Sequence, residues 1–146
     1  MALPRPQLSR LLRARLAQHL FDDSGVCARG VAIYSLADPR DARTVRYVGQ
    51  TAAPRRRWLQ HVNTARLWLP DEIPWWVSSP KLRPLYEWIR ALYREGGRLP
   101  VMLVSEWVDA PCARIAERAR ICACLERHGS LLNYEAELLQ RQMLLL

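Results

Sequence analysis

Lysine is almost missing from this sequence. Lysine and arginine together number 22, and only Lys81 is a lysine, which leaves 21 arginines. No stretch reaches the roughly 20 apolar residues that a membrane-spanning helix requires, so no membrane segment is expected. No Gly-rich phosphate loop and no internal repeat is present, which removes the common loop-based nucleotide binders and repeat arrays. The first residues, MALPRPQLSRLLRARL, carry arginines where a signal peptide would carry its apolar run, so an intracellular, cytoplasmic location is expected. In that compartment the four cysteines (Cys27, Cys112, Cys122 and Cys124) read as free thiols rather than a disulfide framework. A zinc site from Cys112, Cys122, Cys124 and His128 is disfavoured, because Cys-x-Cys is the wrong spacing for the common knuckle.

What is present is an ordinary apolar half and an excess of positive charge. A chain of 146 residues suits one compact domain. The formal net charge is +8, with an isoelectric point near 10. Arginine offers a planar fork of donors that matches phosphate oxygens. The expected partner is therefore a polyanion, nucleic acid before acidic lipid.

Local patterning gives the order of elements. Leu8, Leu11, Leu12, Leu16 and Leu20 recur at helical spacing opposite arginines, so residues 1–29 read as an amphipathic helix and a linker. Residues 30–146 read as the main domain, packed with that segment as one unit. GVAIYSL (30–36) and TVRYVG (44–49) read as paired strands joined by a polar loop longer than the tight two-residue type. Pro54 opens a helix whose apolar stripe is Trp58, Leu59, Val62, Ala65 and Leu69. Four prolines then break regular structure through LPDEIPWWVSSPKLRP, a loop length that in compact domains often serves function. Leu82, Leu85, Tyr86, Ile89, Leu92 and Tyr93 mark the next helix, stopped at Gly96–Gly97. RLPVMLVSEW reads as a buried strand, and Asp109 as the cap of a third helix ending at Gly129. A last helix follows Asn133. The fold class expected is α+β, a small three-stranded, largely antiparallel sheet flanked by helices.

Several residues can carry chemistry in combination. Arg57 and His61 stand four apart and share a helix face, so they can converge on one phosphate. Arginine supplies fixed charge, and histidine accepts or relays a proton near neutral pH. That interval favours Arg57 over its neighbour Arg56. Alternatively, the pair is simply a basic helix face with a partly buried histidine. Glu117 falls between Ile121 and Cys124 on the helical wheel, where an unpaired carboxylate is costly. It can hold one Mg²⁺ that keeps water and substrate oxygens in its other positions, or pair with Arg114 or Arg120. Asn133 is equally a good N-cap for the last helix. Trp75 and Trp76 can stack on bases or close over the core, and Arg55 and Arg56 can touch a nucleic-acid backbone.

Ala-Ile-Tyr at 32–34 and Tyr-Val-Gly at 47–49, backed by Gln50–Thr51, resemble the paired motifs of the GIY-YIG nuclease family. The resemblance extends in order through Arg57, His61, Glu117 and Asn133 and covers roughly residues 30–135. One departure is Ala32, where the family usually has glycine. The resemblance implies a GIY-YIG-like fold and a DNA endonuclease that uses Mg²⁺ (or Mn²⁺) held by Glu117. It implies further that Tyr34 takes the proton of the attacking water with help from His61, and that Tyr47 orients the phosphate. A phenol with an ordinary pKa near 10 needs nearby positive charge for that work. The alternatives are a non-catalytic nucleic-acid-binding module of the same fold and a protein-interaction domain using the Trp75–Trp76 loop. Recognition would come from the 70–84 loop, the N-terminal helix, a partner protein or a homodimer.

Overall fold

The computed structural model describes residues 30–69 and 71–144, so the helix expected at 7–21 lies outside the described residues. The described elements are β1 (Gly30–Asp38), β2 (Asp41–Thr51), α1 (Pro54–Arg66), a short 3₁₀ turn (Trp75–Ser78), α2 (Arg83–Gly96), β3 (Val101–Asp109), a second 3₁₀ turn (Ala110–Cys112), α3 (Ala113–His128) and α4 (Tyr134–Leu144). The three strands form one antiparallel sheet in the order β2-β1-β3. The fold is α+β, with helices on both faces of the sheet.

The central strand explains this arrangement. Residues Ala32 to Ala37 are all at most 1% exposed. A strand buried on both faces reads as a continuous apolar run rather than an alternating one, and VAIYSLA has that character. Alternation still decides which layer each side chain enters. Tyr34 and Leu36 face α1 and α2, in a core with Trp58, Val62, Trp76, Leu85, Tyr86 and Ile89. Ile33 faces the other way, in a core with Val45, Val48, Ile121, Leu125 and Leu139 of β2, α3 and α4.

Four local expectations need correction, the first being that β3, expected to be buried, is an outer strand in which only Met102 is buried. The hairpin loop is a tight two-residue turn, Pro39–Arg40, with Asp38 paired to Asp41. The polar residues stay in the ladder, and their carboxylates serve the turn. Asp38 accepts from the Arg40 backbone N–H at 2.9 Å, and Asp41 accepts from that of Arg43 at 3.1 Å. The register is irregular between Leu36 and Asp38, as at a β-bulge. Asp109 makes no side-chain cap; it precedes the 3₁₀ turn, and α3 starts only at Ala113. Leu69 is 47% exposed, because α1 stops at Arg66 before that position can join the stripe. By contrast α2 ends as its sequence predicts, with Gly97 in the left-handed region at φ 64°.

Candidate active site

The site grows from one cross-strand pair. Tyr34 on β1 lies opposite Gly49 on β2. A Cβ at position 49 would stand 2.5 Å from both Cζ and the hydroxyl of Tyr34. The glycine therefore clears the space across which the tyrosine ring lies. Leu36 pairs with Tyr47, so the two tyrosines are diagonal neighbours on one sheet face, with ring centroids 6.3 Å apart.

Helix α1 brings its own residues to the same face. Trp58 anchors it by donating its indole N–H to the Pro100 carbonyl at 2.8 Å. One turn on, His61 is buried, and its Nε2 lies 2.7 Å from the Tyr34 hydroxyl. Its Nδ1 lies 3.5 Å from the hydroxyl of Tyr86 on α2. The Arg57 guanidinium lies near enough to Tyr34 to oppose the rise in its pKa, and Tyr34 in turn raises that of Arg57. Because arginine can only donate, the orientation that suits both neighbours turns the Tyr34 oxygen toward Arg57 and its proton toward His61 Nε2. That assignment leaves the proton of the neutral imidazole on Nδ1, directed at Tyr86.

The electrostatics follow from burial. His61 has its pKa lowered to about 3 by burial and then by Arg57, so the imidazole is neutral near neutral pH. The sequence expectation of a histidine titrating near neutrality is corrected accordingly. Burial, with Tyr47 adding, holds Tyr34 well above the ordinary tyrosine range despite Arg57. Tyr47 is pushed up to about 12, chiefly by burial; Arg57 opposes this, while Glu117 and Glu135 add to it. Burial works against the charge on Arg57, but Tyr34 and the other nearby hydroxyls raise its pKa, so it stays cationic. Among the described residues, the buried Nε of Arg57 has no hydrogen-bond partner.

Glu117 approaches from the opposite sheet face. It sits on the first half of α3, half-buried, near Gln50 of β2. Burial raises its pKa, Gln50 opposes the rise, and Glu135 adds to it. The field of Glu117 reaches Tyr47 around the β2 edge. Asn133 marks that edge itself. Its side-chain oxygen accepts from the Val48 N–H at 2.9 Å, and its amide donates to the Val48 carbonyl at 2.7 Å. The Leu132 N–H donates to the Arg46 carbonyl at 2.7 Å, so residues 132–133 act as a fragment of a fourth strand. Asn133 thus holds the β2 backbone beside Tyr47 instead of capping α4 with its side chain.

The remaining sequence candidates separate. Trp76 is buried and donates its indole N–H to the Thr64 carbonyl at 2.9 Å, so the core occupies both faces that a base would need. Trp75 is 55% exposed and stands edge-on to Tyr86, with centroids 6.4 Å apart. Arg55 and Arg56 are exposed on the first turn of α1. No group of three metal-ligating side chains gathers among the described residues, Cys112, Cys122, Cys124 and His128 included. Tyr86 and Glu135 were missed by sequence reasoning. Tyr86 hides in an apolar helical stripe, whereas Glu135, two residues past Asn133, could have been found from its place in the first turn of the last helix. Comparison of the chain with protein-family models, curated proteins and solved structures gave no match, so the functional reading of this site rests on its own geometry.

Proposed function

We propose that this protein is a Mg²⁺-dependent DNA endonuclease of the GIY-YIG type. The observation that carries the reading is the buried Tyr34–His61 pair with Arg57 beside it, whose guanidinium keeps a buried, unsatisfied N–H. An anionic oxygen supplies the missing partner of that N–H. Phosphate is the anion that the surplus of arginine favours.

The residues present fit a hard divalent cation. Burial and Glu135 leave the Glu117 carboxylate undercompensated, a place that favours positive charge. A single carboxylate is a normal protein contribution to a Mg²⁺ shell otherwise made of water and phosphate oxygens. When bound, the ion supplies charge neutralisation at the phosphate and acidifies the attacking water.

The chain's own residues do the rest. Arg57 pairs with a phosphate oxygen and stabilises the charge that grows there. Tyr34 receives a proton from the attacking water while passing its own to His61 Nε2. No free phenolate is needed, which suits a hydroxyl whose pKa burial raises. The imidazolium so formed is opposed by burial and Arg57 but supported by the incoming phosphate. Tyr47, half-buried beside Glu117, hydrogen-bonds the substrate. Trp75 offers an exposed indole on which a base can stack.

Incubating supercoiled plasmid with Mg²⁺ tests the proposal. Nicked or linear product should form with wild-type protein, should vanish in EDTA, and should fall about 100- to 1000-fold in Glu117→Gln and Tyr34→Phe. Salt-sensitive DNA binding without any cleavage of duplex, branched or single-stranded substrates would favour a non-catalytic binding module instead.

A further inference from the structure

A cavity of about 600 Å³ lies between the hairpin end of β2 and the second half of α3 and reaches Leu103 of β3. Arg43, Arg120, Arg127 and His128 line it, and no carboxylate does. Arg120 has a buried Nε that hydrogen-bonds nothing among the described residues. Burial raises the pKa of the Cys124 thiol in the cavity wall, and Arg120 and Arg127 oppose that rise, so both guanidinium groups bear on this space. The Arg43 side chain is 92% exposed, tethered by Asp41 at 3.2 Å. A concave surface lined with cations, one of them holding an orphaned buried donor, is built for an anion with several oxygens.

Its position suggests which anion. Arg120 and Arg127 follow Glu117 along the same helix by three and ten residues. At 1.5 Å per residue these positions lie about 4.5 and 15 Å further along the axis. That span matches about four nucleotides of one DNA strand at 3.4 Å each. We propose that this cavity is a second phosphate-binding groove, which holds the backbone of the DNA strand flanking the bond presented to Glu117. The location relative to the cut rests on the nuclease reading; the groove's affinity for a phosphodiester backbone does not.

The test compares two charge-matched double variants for binding to a labelled 20-base-pair duplex in EDTA, from 50 to 200 mM salt. Arg43→Gln/Arg127→Gln changes the groove, and Arg94→Gln/Arg98→Gln changes exposed arginines elsewhere. Unchanged urea midpoints establish that both are folded. The groove variant should bind at least tenfold more weakly at 100 mM salt, with a log–log salt slope shallower by about 2, one for each lost phosphate contact. The control should shift affinity less than twofold. Equal losses in both variants, no loss in either, or no duplex binding by wild type would overturn the groove. Cleavage of the same duplex with Mg²⁺ separates the two ideas. Cleavage with an unchanged salt slope sinks the groove alone, and a shallower slope without cleavage sinks the nuclease reading alone.

Discussion

His61 is held neutral by the core around it, and that has a measurable cost in acid. Its folded pKa, about 3, lies below the ordinary 6.5 expected when unfolded. Between those values the unfolded chain binds a proton that the folded chain does not. Stability from this residue is therefore complete above pH 6.5 and drains as pH falls through 6.5 toward 3. The slope approaches about 1.4 kcal/mol per pH unit, so moving from pH 7 to pH 5 should remove about 2 kcal/mol. Urea unfolding at both values should show wild type losing about that much more than His61→Gln; equal losses would mean the imidazole is hydrated. Tyr86 belongs to the same account. Removing its hydroxyl in Tyr86→Phe takes away the Nδ1 partner, which should lower kcat about fivefold to tenfold, as expected for one hydrogen bond, with KM within twofold. Steady-state kinetics of the two proteins would decide it. Sequence spacing favoured Arg57 over Arg56, and in the fold Arg57 is half-buried beside Tyr34 while Arg55 and Arg56 are exposed. The role of Tyr86 was not legible, because a tyrosine at helical spacing among leucines looks like core until its hydroxyl has a partner.

At the scale of elements, the edge of β2 organises the site. Edge strands carry unpaired backbone groups, and here the Asn133 side chain satisfies both such groups of Val48. The neighbouring residues are Tyr47, on the face of α1 and α2, and Gly49, which gives Tyr34 its clearance. Asn133→Ala should cost about 2 kcal/mol in stability from two lost hydrogen bonds and raise amide exchange at Val48 selectively. Unaltered exchange at Val48 would show that the clamp is dispensable. The two tyrosine-bearing strands and Asn133 could be singled out in the sequence, but the contact between β2 and Asn133 could not. It depends on β2 being an outer strand, and strand order is set by non-local pairing between β1 and β3. The same holds for the hairpin. Its polar stretch looks like a loop, yet it pairs within the ladder, with the carboxylates of Asp38 and Asp41 accepting from nearby backbone N–H groups.

For the whole molecule, three strands and the order of the described helices followed from patterning, since long periodic segments state their own type. No helix among the described residues is long and apolar enough to cross a membrane. The sheet separates two layers, and the candidate site uses both. Tyr34 and His61 belong to the layer of α1 and α2, while Glu117 belongs to the layer of α3. That division gives the nuclease proposal a sharp consequence. If Tyr34 and Glu117 act on the same bond at the same moment, their losses cannot multiply. The measurement is the single-turnover rate of duplex cleavage in Mg²⁺ for wild type, Tyr34→Phe, Glu117→Gln and the double variant. The account predicts that each single variant is at least about 100-fold slow and that the double is no slower than the worse single. Cleavage undiminished in either single variant, or losses that multiply in the double, would contradict one site shared across the β2 edge.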